Sequence, residues 1–371
     1  MGNQHFRIRE RAFTRNGRNI QKNRRSVMVR AEDEVRTTKY CILGCQGVGK
    51  TTIWRQLWFN LSPDVYDSNK DFRRNIISSV RIATVDILGK MDMSNVELST
   101  QLAADALSNI GEIQWHEPFD EGCMALRVAR LVQTVWKDRR FLEHYENSIF
   151  FNTGVKGLVE KVESMTIRDW DPSRSDVLRI NIRTHGIIEF SISGTNSSFF
   201  DLGGSRNERR KWMYVFGDEP VIVFVASLSD YNEVRYEEDS CGLSESLYLF
   251  QQVFETPMLK DVLEVVLVLN KVDIFKEKLC NKRIPLNISG QFPDAPRTFD
   301  YDTGVNWILQ RYLKLVPNEI EREHLRVHVH VVDGLNENSV AEVMSSMYPP
   351  SGKIRTKNDL NFFGRAPKFA V

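Results

Sequence analysis

The run Gly44-Cys45-Gln46-Gly47-Val48-Gly49-Lys50-Thr51 fits the spacing G-x-x-x-x-G-K-[ST]. Each residue type has a task in phosphate chemistry. Glycines let backbone N–H groups turn inward and form a concave anion site. A helix starting near Lys50 adds its positive N-terminal end. The Lys50 ammonium can bridge terminal phosphates, and the Thr51 hydroxyl can ligate Mg²⁺. The bland alternative is an ordinary glycine-rich turn, but here a strand-like run precedes the glycines and a helix-like run follows them.

A second motif, Asn270-Lys271-Val272-Asp273, ends the apolar run Val265–Leu269. Ligands of α/β sheets bind beyond the carboxyl ends of strands. The Asp273 carboxylate can accept hydrogen bonds from N1–H and the exocyclic amine of guanine. Adenine offers neither in that arrangement, and a buried carboxylate left unpaired is costly. The tetrapeptide alone is a weak signal. Behind a phosphate loop it argues for a guanine nucleotide and against a P-loop ATPase or kinase.

The elements that must position these residues follow from periodicity. Lys39–Leu43 reads as a short buried strand, and Ile53, Leu57 and Trp58 share one face of a helix over about 50–61. From about 64 to 178 the pattern is helical. Phe72, Ile76, Ile77, Val80 and Ala83 fall near helical spacing, and Val128, Leu131, Val132 and Val135 make a stripe suited to core packing. From about 183 to 348 strand-like runs (187–191, 197–202, 221–226, 265–269, 327–332) alternate with helix-like runs near 241–254 and 302–315. Such alternation predicts a mostly parallel sheet covered on both faces. His328 and His330 share one side of the last strand. With no third ligand in view they read as packed histidines.

The chain has 371 residues, enough for two cores. Its net charge of +1 predicts no general attraction to nucleic acid. Residues 1–36 carry ten Lys/Arg against four Asp/Glu, a net of +6, which leaves −5 for the rest. No apolar run is long enough to cross a bilayer, and no signal-peptide core is visible. Five cysteines without framework spacing (Cys41, Cys45, Cys123, Cys241, Cys280) predict free thiols and a cytoplasmic setting. Met1-Gly2-Asn3-Gln4-His5-Phe6 begins like a myristoylation site, with Phe6 in place of the favoured Ser/Thr. One acyl chain binds membranes marginally, and the basic arm would supplement it at acidic lipid. Peripheral association with the inner face of the plasma membrane is the expectation.

The chain resembles the Gα family of heterotrimeric G proteins. The carriers are the phosphate loop at 44–51, Asp176-Val177-Leu178-Arg179 leading to Thr184-His185-Gly186-Ile187, and Asp201-Leu202-Gly203-Gly204-Ser205 running on through Arg206-Asn207-Glu208-Arg209-Arg210-Lys211-Trp212. Ala226-Ser227-Leu228-Ser229-Asp230-Tyr231 and Leu269-Asn270-Lys271-Val272-Asp273-Ile274-Phe275 add to them. The resemblance implies an α/β fold. Its core would be a Ras-like P-loop domain on a mostly parallel six-stranded sheet, with helices on both faces and an inserted all-α helical domain. The expected divisions are a basic arm (1–38), a discontinuous Ras-like domain (39–63 and 180–348), the helical insertion (64–179) and a tail (349–371).

The resemblance further implies that Gly44, Gln46, Gly47, Val48, Gly49, Lys50, Thr51 and Thr52 surround the phosphates of GTP or GDP. Leu178, Arg179, Thr184 and Gly204 would contact the nucleotide, and Asn270, Lys271, Asp273 and Val331 the base. Thr51, Thr184 and, through water, Asp201 would hold Mg²⁺. A Gβγ dimer, a membrane receptor and an effector are the implied partners. The basic face at Arg206, Arg209, Arg210 and Lys211, with Trp212, is expected to be a partner surface.

Three departures fall on one reaction step. Asn181 stands where the family has arginine, Ser205 where it has glutamine, and Gln46 where the phosphate loop has glycine. A cation there is worth roughly 10³–10⁵ in rate, a figure known from Gα and Ras proteins themselves. Asn181 carries no charge, and Ser205 is too short to orient water. Severely reduced GTP hydrolysis is the expectation. The rival reading is a pseudo-GTPase scaffold with a degraded or permanently occupied nucleotide site. Val329-His330-Val331-Val332 replaces the family's base-support motif, and Pro349-Pro350 interrupts the C-terminal helix, so the implied receptor contact departs from the family pattern.

Overall fold

The computed structural model describes residues 9–10, 38–61, 71–90, 98–112, 124, 126–147, 153–167, 170–180, 184–191, 197–216, 220–235, 240–256, 262, 264–317 and 325–347. Asn181, Cys123, Met1–Phe6 and the tail from Pro349 lie outside the described residues.

One sheet organises the molecule. Strands β1 (Arg9–Glu10), β2 (Thr38–Leu43), β3 (Ile187–Ser191), β4 (Ser197–Leu202) and β5 (Val221–Ser227) belong to it. A small separate pair follows, β6 (Val234–Arg235) with β7 (Ser240–Cys241), and the sheet is completed by β8 (Glu264–Asn270) and β9 (Arg326–Val331). The order across the sheet is β1-β3-β4-β2-β5-β8-β9. The β4-β2-β5-β8-β9 stretch is parallel, and β3 is antiparallel to β4. The six expected strands are all present. The basic arm adds a two-residue seventh, with Arg9 opposite Glu189.

Every residue of β5 and β8 is buried. Their near-continuous Val/Ile/Leu/Phe runs have no polar face because helices cover both sides. Helix α1 (Lys50–Leu61) packs on β2 and β4 and touches α12 (Glu337–Met347); α9 (Gly242–Glu255) packs on β5 and touches α11 (Tyr301–Leu313). The carboxyl ends of parallel β2, β4, β5 and β8 therefore lie along one edge. Chain connections diverge to either side of β2 there, which is where such sheets open a ligand crevice.

Between α1 and β3 lies a block of helices: α2 (Asp71–Lys90), α3 (Gln101–Glu112), α4 (Leu126–Lys137), α5 (Arg139–Asn147), α6 (Thr153–Val159) and α7 (Arg174–Leu178). The α4 stripe is buried at Val128, Val132 and Val135. Trp136 lies edge-on to Phe141 and Tyr145, at ring separations of 5.3 and 4.8 Å. Asp138 starts α5 by accepting from Phe141 N at 3.1 Å and ties it to α3's approach by accepting from Ser99 N at 2.8 Å. Ser173 and Asp176 form a reciprocal capping box at the start of α7. Burial raises the Asp176 carboxyl, but bonds from Lys161, the Ser173 hydroxyl and the Ser173 N–H together outweigh it and hold the carboxylate below its ordinary range.

Among the described residues, Cys41, Cys45, Cys241 and Cys280 are free thiols. No described helix is long and apolar enough to cross a membrane.

Candidate functional site

A cavity of about 450 Å³ opens at the carboxyl edge of the sheet. One end of it is the loop between β2 and α1. Gly44, Gly47 and Gly49 have φ of +140°, +78° and +97°, the region that side chains disfavour. At Gly49 the reason is also steric, since a Cβ would stand 2.2 Å from Asn270 Nδ2. Lys50 opens α1, is 5% exposed, and donates from Nζ to Cys45 O at 2.7 Å. Gly204 closes over this loop so tightly that a Cβ would lie 2.3 Å from Lys50 Nζ.

Three oxygen-bearing side chains from three distant segments converge beside Lys50. Thr51 Oγ1 donates to Asp201 Oδ2 at 2.7 Å and lies 2.7 Å from Thr184 Oγ1. Thr184 Oγ1 lies 3.4 Å from the same carboxylate oxygen. The other oxygen, Asp201 Oδ1, is buried and accepts nothing. Burial pushes the Asp201 carboxyl up; Lys50, Thr51, Arg55 and Thr184 pull it back toward ionisation. A buried, half-satisfied carboxylate flanked by two hydroxyls is a hard-oxygen donor set, and it fits Mg²⁺.

At the opposite end, Asn270 joins three segments. Its Nδ2 donates to Val48 O at 2.9 Å, and its Oδ1 accepts from Gly334 N at 2.8 Å. Lys271 takes a left-handed backbone at φ 63° just before the short helix α10 (Val272–Lys276), and Asp273 of that helix lines the cavity. Lys271 Nζ lies 3.8 Å from the buried Asp230 carboxylate. Asp333, Gly334 and Leu335 form the facing wall. Burial raises the Asp333 carboxyl, the Leu335 N–H lowers it, nearby Asp273 raises it and Arg179 lowers it.

The segment after β4 is clamped by its own side chains. Glu208 is buried, accepts from Gly186 N at 2.6 Å and pairs with Lys211 at 2.7 Å. Arg209 donates to Gly204 O at 3.0 Å and forms an ion pair with Glu245 of α9. Trp212 is 7% exposed and donates from Nε1 to Gly203 O at 2.9 Å. Of the basic face expected to meet a partner, Arg206 and Arg210 are exposed, but Trp212 is withdrawn from it. The indole turns inward because the Gly203 carbonyl and the core satisfy both its polar and apolar parts. Met213 and Tyr214 are the exposed large residues there, at 50% and 63%.

Gln46 and Ser205 both line the cavity, as do Gly47, Gly49, Lys50, Thr51, Thr52, Leu178, Arg179, Thr184, Gly204, Asn270, Lys271 and Asp273. Ser205 starts the short helix α8 (Arg206–Arg209), yet its hydroxyl makes no capping bond to it. Gly44, Val48 and Asp201 stand behind the surface and shape it. Val331 lies within β9, paired with Leu269, and does not line the cavity. Lining residues that motif reading missed include Gly154, Ile180, Asn207, Glu208, Ile274, Gly334 and Leu335. Glu208 and Asn207 lay inside a quoted motif without a role; Gly154 carries no local signal. His328 Nε2 stands 3.6 Å from Glu264, and among the described residues no cluster of three or more His, Cys, Asp or Glu could hold a metal.

The G-protein alpha subunit family matches residues 14–348. The chain is similar to the guanine nucleotide-binding protein G(o) subunit alpha of Locusta migratoria, 28% identical over 316 residues, covering 82% of this chain and 85% of that protein. A guanine nucleotide-binding protein subunit alpha of Coprinellus congregatus is 26% identical over 328 residues, covering 86% and 88% respectively. The G(o) subunit alpha of Lymnaea stagnalis is 28% identical over 295 residues, covering 77% and 80%. With the G-x-x-x-x-G-K-T loop, the Asn270–Asp273 turn and the sheet that joins them in place, the chain belongs to the G-protein alpha subunit family, whose members are guanine-nucleotide-binding signalling proteins.

Proposed function

We propose that this chain is a Gα-type switch that loads GTP with Mg²⁺ and hydrolyses it very slowly. The observation that carries the reading is that Lys50, Thr51 and Thr184 line a cavity whose other wall holds Asp273, with Asp201 and its orphaned Oδ1 directly behind the two hydroxyls. Lys50 and the loop amides would hold the phosphates, and Asp273 would read the guanine edge. Thr51, Thr184 and Asp201 would hold Mg²⁺, which when bound neutralises phosphate charge. Gly204 would present its N–H to the terminal phosphate.

The slow hydrolysis rests on the same wall. Gln46 and Ser205 line the cavity where the family carries glycine and glutamine, and Asn181 replaces the arginine. Nothing in Ser205 reaches far enough to orient water, and a neutral side chain at 181 stabilises no developing charge. The division into a Ras-like unit (39–63 and 180–348) and a helical insertion (64–179) supports enclosure of the nucleotide between the two. A Gβγ dimer, a receptor, an effector and attachment to the inner face of the plasma membrane extend the reading by family likeness.

Two measurements test it. Purified protein is denatured and its released nucleotide identified: GTP is expected. GDP would indicate an active GTPase, and no nucleotide would support the scaffold. In single turnover with γ-labelled GTP, label should stay on the protein; phosphate release at an ordinary Gα rate would refute slow hydrolysis.

A further inference from the structure

Helix α1 begins at the phosphate-binding lysine, yet two of its side chains serve the far wall of the cavity. Thr52 and Arg55 lie three residues apart, on one helix face. Thr52 Oγ1 donates to Leu178 O at 3.4 Å. The half-buried Arg55 donates from Nη1 to Val177 O at 3.3 Å and to Ile180 O at 3.1 Å. These carbonyls belong to the last turn of α7 and the residues just beyond it. Val177 O also accepts from Ile180 N at 3.2 Å, so the side chains of α1 add to a final turn whose last carbonyls run out of internal donors. Both bonds leave one nitrogen, Nη1, whose two N–H groups meet two different carbonyls.

The same residues are the wall. Leu178, Arg179 and Ile180 line the cavity, and Asn181 follows directly. The start of α7 is fastened inside the helical block, by its capping box and by Lys161 on Asp176 at 2.6 Å. Its end is fastened to α1 through Thr52 and Arg55. Burial pushes the Arg55 guanidinium down to about 10, with the Asp201 carboxylate pulling the other way. It stays charged at neutral pH, close to the carboxylate that fits the metal.

We propose that Arg55 is a positioning residue that latches the Leu178–Ile180 wall to α1 and so slows escape of the bound guanine nucleotide. The inference rests on the nucleotide-site reading above. A side chain that bridges the phosphate-loop helix to the end of the helical block must be broken, or must swing with the wall, before that wall withdraws.

The test uses the full chain loaded with a fluorescent methylanthraniloyl derivative of GDP or of GTPγS in saturating Mg²⁺, chased with excess unlabelled nucleotide. Arg55→Met keeps length and removes charge and donors; release should quicken about tenfold, the scale of one or two hydrogen bonds from a charged donor. Arg55→Lys should retain most of the delay, because an ammonium still reaches one carbonyl. Hydrogen exchange at 177–180 in the loaded protein should rise in Arg55→Met and much less in Arg55→Lys. Release at the wild-type rate from a loaded Arg55→Met would overturn the latch, as would equal acceleration in both variants. A lowered melting temperature with unchanged release would assign Arg55 to packing alone and also overturn it. If Arg55→Met does not fold, Arg55→Gln takes its place under the same criteria. Wild-type protein that takes up no labelled nucleotide would sink the nucleotide reading itself; normal uptake with unaltered release sinks only the latch.

Discussion

Asp201 sets the chemistry at the scale of single residues. It is fully buried, its Oδ1 has no donor, and burial raises its carboxyl against the pull of Lys50, Thr51, Arg55 and Thr184. Replacing it by Asn removes a charge that is costly to bury without the metal. Asp201→Asn should therefore melt at the same temperature as wild type or higher in chelator, and gain little from added Mg²⁺ with nucleotide. A thermal shift series in Mg²⁺ checks this; an undiminished Mg²⁺ response would remove Asp201 from the metal site. The hydrolysis residues make a second prediction. Restoring only Ser205→Gln should help little, because members of one catalytic unit are strongly non-additive. Asn181→Arg with Ser205→Gln should raise single-turnover phosphate release by roughly 10²-fold or more, given the worth of the arginine in Gα and Ras proteins. A double variant as slow as the parent would point to Gln46 as the remaining block.

At the scale of elements, an aromatic knot ties α4 to α5 within the helical block. Trp136 of α4 is 5% exposed, packs on Phe141 and Tyr145 of α5, and buries an indole N–H with no acceptor. Trp136→Ala should cost about 3–5 kcal/mol, the range for emptying an aromatic site. Trp136→Phe should cost about 1.5 kcal/mol or less, since it gives up volume but also an unsatisfied donor. Urea unfolding of both variants, followed by tryptophan-independent circular dichroism, separates them. Strand β9 makes a pH prediction. Burial, and then the neighbouring His328, pushes His330 down to about 4 from an ordinary 6.5. The unfolded chain thus binds the proton more readily than the folded one. His330 supports the fold fully above about 6.5, and that support is lost as pH falls toward about 4, by roughly 3 kcal/mol at most. His330→Leu should flatten this acid limb in a melting-temperature profile from pH 7 to 4; an unchanged slope would show that other groups set it.

At the scale of the whole molecule, the cavity is shared by the edge of the sheet and by the helical block, through Gly154, Leu178 and Arg179. A ligand there stabilises both. Nucleotide with Mg²⁺ at 100 times its dissociation constant should add about 2.7 kcal/mol by mass action. Calorimetry should show one transition for the loaded protein and two, or one broad one, for the empty protein, as units lose their common ligand. A single sharp transition in both states would mean that the two halves cohere without it.

The amino-acid pattern alone determined the family, the strand–loop–helix around Lys50, the turn Asn270–Asp273 that closes a buried strand, the sheet's strands and the helical character of the insertion. These are local features: a contiguous motif constrains its own backbone, and a period of 2 or 3.6 marks which side is buried. Only the tertiary structure decided which distant groups meet. Trp212 turned inward to the Gly203 carbonyl rather than outward to a partner, Asp333–Leu335 rather than Val331 came to line the base end, and Arg55 met the carbonyls of Val177 and Ile180 more than 120 positions away. Such contacts depend on strand order and on how a helix block seats against a sheet, and no local spacing carries that information.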